Sequence, residues 1–188
     1  MLALGLALGV GAKLLDLVPA EQGGFLQNLI TRLDLGNFFS ALPVWLFAGL
    51  AAAVFSRSAL RAALNTFLLF FGLCVSYHLA SVCIAHFDPS AYMRVWYALS
   101  AASALLGFAA WYSKGRGVVA LLISILILGV MAYRCFPAGF WYYDVTIRGA
   151  VLYLASAAIV FRSAKRSLIT LPAGLLLGFL LGSSVGLG

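Results

Sequence analysis

The chain is 188 residues long, 64% hydrophobic and only 9% charged, too few polar side chains to cover the surface of a water-soluble domain. Its formal net charge of +7 comes from bases clustered in short breaks between apolar runs; that pattern orients a membrane protein, and no nucleic-acid partner is expected. A lipid bilayer is the solvent these proportions require, and the apolar runs follow one another too closely for a separate soluble module, so residues 1–188 are expected to form a single integral membrane domain.

Hydrocarbon about 30 Å thick needs about 20 largely apolar residues per helix. Seven stretches qualify, at residues 1–18, 37–55, 63–86, 92–112, 117–135, 142–161 and 167–187. The expected fold is therefore all-α, a polytopic transmembrane helix bundle of about seven spans. The first run has no Lys or Arg before it, is interrupted at Lys13 and ends in Val18-Pro19-Ala20; that is a poor cleavage site, and a retained helix is expected. Between the first two runs, Phe25, Leu26, Leu29, Ile30 and Leu33 recur at helical spacing opposite Gln27, Asn28, Thr31, Arg32 and Asp34, which predicts a short interfacial helix or lid over residues 24–34.

Charges sort by loop. Arg57, Arg61, Lys114, Arg116, Arg162, Lys165 and Arg166 fall in three alternate loops without an acid, whereas Lys13, Arg32, Arg94, Arg134 and Arg148 share the other side with Asp16, Glu21, Asp34, Asp88 and Asp144. The excess of clustered bases predicts a cytoplasmic amino terminus and an outer carboxyl terminus. The turn Arg57-Ser58-Ala59-Leu60-Arg61 is matched by Arg162-Ser163-Ala164-Lys165-Arg166, which hints at a parallel repeat of hairpins. Short cytoplasmic hairpins favour serine caps and bases in any case, and that simpler reading stands beside it.

Gly174, Gly178, Gly182 and Gly186 recur every fourth residue in the last span, and Gly5 and Gly9 do so in the first, with Ala3, Ala7 and Gly11 alongside. Lipid supplies no hydrophobic drive between helices, so such smooth faces are expected to pack against another backbone, in the same bundle or in a second chain. Tyr92, Trp96, Tyr97, Trp141, Tyr142 and Tyr143 gather near one boundary and Trp111 and Tyr112 near the other, as interfacial anchors do. His78 is expected as a hydrogen-bonded core residue. Cys74, Cys83 and Cys135 form no CxxC pair and are expected as packed thiols, with a Cys83–Cys135 bond the alternative.

A Lys, Arg or Asp at a helix centre costs about 2.5 to 3.5 kcal/mol, so charges near hydrocarbon ask for a reason. Lys13 with Asp16 and Asp144 with Arg148 are spaced to share a helix face. Together with Arg134, Trp141 and Tyr142, and with His86, Asp88 and Arg94 at neighbouring ends, they are candidates to line an outward-facing polar pocket, the alternative being paired or snorkelling structural charges. No GxSxG, HExxH, P-loop or GxGxxG motif occurs and no two acids lie close in the chain; no catalytic residue, metal ligand or cofactor is assigned.

The stretches Gly9-Val10-Gly11-Ala12-Lys13-Leu14-Leu15-Asp16, Leu42-Pro43-Val44-Trp45, Phe55-Ser56-Arg57-Ser58, Ala62-Ala63-Leu64-Asn65 and Trp111-Tyr112-Ser113-Lys114-Gly115-Arg116-Gly117 together resemble a family of small bacterial multispanning membrane proteins. That resemblance implies a bacterial cytoplasmic membrane and carries no function. The chain is also similar in size to the substrate-binding subunits of energy-coupling-factor vitamin transporters, where Ala3 and Ala7 would match the small residues of the first helix, although those subunits have six helices. Three functions remain open: first a small-molecule binding or transport component with an outward pocket, second an accessory or assembly protein whose glycine faces bind another membrane protein or a second copy, and third a membrane enzyme.

Overall fold

A computed structural model describes residues 1–17, 41–137, 142–161 and 164–185. These form seven α-helices: α1 Leu2–Asp16, α2 Leu42–Val54, α3 Ala59–Cys83, α4 Ser90–Trp111, α5 Val118–Cys135, α6 Ile147–Val160 and α7 Ala164–Val185, with a single 3₁₀ turn, Tyr112–Lys114, after α4. The fold is an all-α bundle. Residues 24–34, Trp141 and Gly186 lie outside the described residues.

Four helices, α3, α4, α5 and α7, are long and apolar enough to cross a membrane. Helices α1, α2 and α6, of 15, 13 and 14 residues, are shorter than the apolar stretches 1–18, 37–55 and 142–161. Start signals that hydropathy does not register set these bounds. Helix α2 opens from an extended Ala41 with Pro43 in its first turn, where proline's missing N–H costs nothing. Helix α6 opens at Thr146, whose side chain accepts from the Gly149 N–H at 3.1 Å, so the apolar Tyr142, Tyr143 and Val145 precede the helix. In α3, Ser58 caps by accepting from the Arg61 N–H and starts the helix at Ala59, four residues before the apolar run.

Glycine decides which helices touch. A Cβ at Gly5 would meet the Leu69 backbone, and one at Gly9 would meet Leu73, Ser76 and Tyr77, so α1 and α3 run parallel at backbone contact. Helices α5 and α7 do the same: a Cβ at Gly174 would meet Leu128, and one at Gly178 would meet Ala132 at 2.6 Å and the Gly129 carbonyl at 2.9 Å. The glycine faces are thus occupied inside this chain. Gly182 continues the α7 face half-buried, while Ala3 and Ala7 are exposed. Helix α4 packs along α3, and the short α2 sits centrally, touching α3, α4, α5 and α6.

The two serine–arginine turns sit in corresponding places of two similar three-helix units. Units α1–α2–α3 and α5–α6–α7 each pair their first and third helices in parallel, and α4 joins them. The likeness extends back into the middle helices, where Ala51-Ala52-Ala53-Val54-Phe55 precedes one turn and Ala157-Ala158-Ile159-Val160-Phe161 the other, with Ser56 as one extra residue. Val54 and Val160 meet in one buried cluster with Leu50. Carrying the register along α3 and α7 equates Leu69 with Gly174 and Gly72 with Leu177. Gly72 faces Leu2 and Leu6 of α1, whereas Leu177 faces Gly129 of α5: large and small have changed places between the partners, conserving the volume at the contact.

One end of the bundle carries Asp16, Asp88 and Asp144, the other the Arg57, Arg61, Lys114, Arg116 and Arg166 loops. At this basic end two cations are built in. Lys114 Nζ donates to the Val54 and Ser56 carbonyls at 3.0 and 2.6 Å and lies over the Trp111 ring. It caps the last carbonyls of α2, the favoured place for a cation. Arg166 donates to the Gly115 and Ser113 carbonyls and to Ser124 Oγ at 2.8, 3.2 and 2.8 Å, tying α7 to the α4–α5 turn.

Candidate functional site

Two cavities lie between α2 and its neighbours. The first, about 310 Å³, opens at the acidic end between α1, α2, α3 and α4, walled by Trp45, Phe70, Tyr77, Tyr92, Trp96 and Ser100 among others, with Asp16 at its mouth. The second, about 320 Å³, lies deeper between α2, α3, α4 and α5 and is walled mainly by aliphatic groups such as Leu50, Ile123 and Ile127. Leu46, Phe70, Ser103 and Leu106 border both, so the two are neighbours that share these side chains. The short α2 forms a wall of each. In membrane proteins built from repeats, a short segment in corresponding positions of the two halves is a structural pointer to a binding site.

The mouth is organised on Tyr77. Its hydroxyl donates to the Asp16 carboxylate at 2.8 Å, and Lys13 Nζ stands 5.3 Å from its ring centroid. The two charges spaced to pair along α1 therefore both turn to an aromatic side chain of α3. Deeper, most buried hydroxyls are satisfied by a carbonyl three or four residues back in their own helix: Thr66 on Ala62, Ser81 on Tyr77, Ser103 on Ser100, Ser124 on Ala120 and Ser156 on Leu152. Ser100 Oγ, in the wall of the first cavity, is buried with no partner among the described residues, as is Ser113 Oγ at the basic end. An unmade bond costs about 1 to 3 kcal/mol for a buried polar group, which sets these two hydroxyls apart from the satisfied ones.

The second unit shows the alternative. The register partners of Phe70 and Cys74 are Leu175 and Phe179, and there the space is filled: Tyr143 packs its ring on Phe136 and Phe179 and donates its hydroxyl to the Leu175 carbonyl. Phe136, Tyr153 and Leu128 complete a closed core. Tyr143 fills this place in the second unit, where the first has a cavity bordered by a carboxylate.

Of the residues picked out from sequence, Asp16 borders the cavity and Lys13 stands beside it. Arg134, over the Tyr133 ring, belongs with Tyr142, Asp144 and Arg148 to the same end of the second unit, and none of the four borders either cavity; Trp141 lies outside the described residues. Helical spacing holds for Lys13 and Asp16 but not for Asp144 and Arg148, because α6 begins only at Ile147 and Asp144 lies in the preceding loop, its N–H donating to the Pro137 carbonyl. Spacing also leaves open which neighbour a face meets, and α1 meets α3 while α6 meets α5 and α2. Tyr92 and Trp96 were legible only as interfacial aromatics, and Trp45, Tyr77 and Ser100 were not singled out from the sequence.

A second polar group closes the α3–α4 turn. Asp88 accepts from the Ser90 N–H and hydroxyl and from His78 Nε2 at 3.4 Å, and His78 Nδ1 lies 3.2 Å from the Tyr97 hydroxyl. His78 is thus hydrogen-bonded on both ring nitrogens. The Ser90 bonds, then His78, hold the Asp88 carboxyl below the usual carboxylate range. Cys74, Cys83 and Cys135 are free thiols, and no group of three metal-binding side chains occurs among the described residues. Compared with protein-family models, curated proteins and solved structures, the chain matches none.

Proposed function

We propose that the protein binds a small organic molecule from the outer face of a bacterial cytoplasmic membrane, as a binding or transport component, with its acidic end outward and its amino terminus cytoplasmic. The observation that carries this reading is the cavity between α1 and α4, bordered by Asp16 and Ser100, whose corresponding place in the second unit is filled by Tyr143. An apolar enclosure with a few placed polar groups is the usual form of a small-molecule site. The accessory role loses its main support because Gly5, Gly9, Gly174 and Gly178 are used against α3 and α5.

Trp45 and Trp96 wall the cavity and make tryptophan fluorescence a direct reporter. Titrating the protein in neutral detergent with anionic, neutral and cationic organic molecules should give a saturable change with one class. Ser100→Leu, which places a side chain into the space, should weaken that binding by at least about tenfold while preserving the fold. Absence of a saturable response from every class, with Ser100→Leu more stable than the parent, would leave the cavity a packing defect.

A further inference from the structure

We infer that the occupant is a lipophilic cation: a positively charged head held at the mouth between Asp16 and the surrounding rings, with an apolar tail running into the second cavity. This rests on reading the first cavity as a binding site. Asp16 is the sole charged residue among the described residues that border either cavity, and no base does. Beside it stand Trp45, Tyr77, Tyr92 and Trp96, whose faces carry negative electrostatic potential and attract cations. Carboxylate and rings act in the same sense: both favour a cation and disfavour an anion. Tyr77 already demonstrates the preference, since Lys13 Nζ lies over its ring.

The tail follows from the second cavity. It adjoins the first across Leu46, Phe70, Ser103 and Leu106 and reaches Thr66, eleven residues from Tyr77 on α3, or roughly 16 Å along the helix axis; the tail would pass between these side chains. Leu106 and Leu126, from α4 and α5, border this cavity and are 66% and 58% exposed, so the chamber faces hydrocarbon between those helices. An alkyl chain can lie there with its head at the membrane surface, the position a lipophilic cation adopts in a bilayer.

The test uses the full chain in nanodiscs of zwitterionic lipid, followed by tryptophan fluorescence and titrated below micelle formation with dodecyltrimethylammonium, tetramethylammonium, dodecanol and dodecanoate. The long-chain cation should bind saturably, with the head alone, the alcohol and the carboxylate each weaker by at least about tenfold. Asp16→Asn should weaken the long-chain cation by a similar factor while lowering the melting temperature no more than Tyr77→Phe, which removes the same hydrogen bond but keeps the carboxylate. Lys13→Met, which removes the competing charge from Tyr77, should tighten it; weakening would indicate a zwitterionic head instead and overturn the inference. Equal binding of alcohol or carboxylate, or indifference to Asp16→Asn, would overturn it too, while continued blocking by Ser100→Leu in that case would leave the cavity standing as a site for another class. If none of the four probes binds saturably, the lipophilic cation is excluded.

Discussion

The Tyr77 hydroxyl donates to the Asp16 carboxylate across 2.8 Å, joining α1 to α3 at the acidic end, about two turns beyond Gly9 on α1. The bond is exposed, so its worth lies near the ordinary net value of about 1 kcal/mol. Tyr77→Phe and Asp16→Asn should each lower stability by about that amount or less, and the double variant should lose less than the sum, because the same bond is removed twice. Thermal unfolding of the three variants in neutral detergent measures the coupling; strict additivity would show that the bond contributes nothing.

Glycine at position 178 is required by contact. Gly178→Leu would drive a side chain into the Ala132 methyl and the Gly129 carbonyl, and overpacking at a close backbone approach costs about 1 to 3 kcal/mol or more. Gly11, whose Cβ would meet nothing within 4 Å, supplies the control: Gly11→Leu should leave the melting temperature unchanged while Gly178→Leu lowers it. Equal effects at the two positions would contradict the packing of α7 on α5.

Arg166 spans two carbonyls and a hydroxyl at once, a planar fork that lysine cannot reproduce. Arg166→Lys should therefore recover only part of the stability lost in Arg166→Met. Leaving the half-buried α4–α5 turn short of donors is expected to cost about 1 to 3 kcal/mol. A lysine variant as stable as the parent would reduce the role of Arg166 to its charge.

Stability should fall in acid partly through Asp88. Its folded pKa is depressed, first by the Ser90 hydroxyl and N–H and then by His78, so the contribution is fully present above the unfolded value of about 3.9 and is lost as pH drops through the lower folded value. Melting curves recorded from about pH 6 to about pH 3 should decline less steeply at the acid end for Asp88→Asn than for the parent. Parallel curves would place the acid sensitivity at other carboxylates.

Orientation is open to labelling. In a background lacking the three native cysteines, Gly115→Cys should be protected from an impermeant thiol reagent in intact cells and Ser90→Cys should react; both positions are exposed at opposite ends of the bundle. The reverse pattern would invert the topology that the distribution of bases predicts.

Solvent and secondary structure are properties of composition and local sequence, and they were legible without a fold. A chain this apolar must sit in lipid, where backbone groups can be satisfied only within helices, and Gly5, Gly9, Gly174 and Gly178 announced close helix contacts before their partners were known. The partners were another matter. That Gly178 meets Ala132, and that Leu177 against Gly129 inverts Gly72 against Leu6, depends on which helices lie side by side, and a periodic face is equally compatible with several neighbours. The same limit governs the candidate site. Asp16 could be singled out because a charge near hydrocarbon demands a reason, but Trp45, Tyr77, Trp96 and Ser100 come from three helices and were ordinary aromatic or small residues until α1, α2, α3 and α4 enclosed one space. The turn at Arg57 and its echo at Arg162 suggested a repeat, yet only the tertiary structure could show that the place Tyr143 fills in one unit is a cavity in the other, because filling a volume depends on side chains brought from distant parts of the chain.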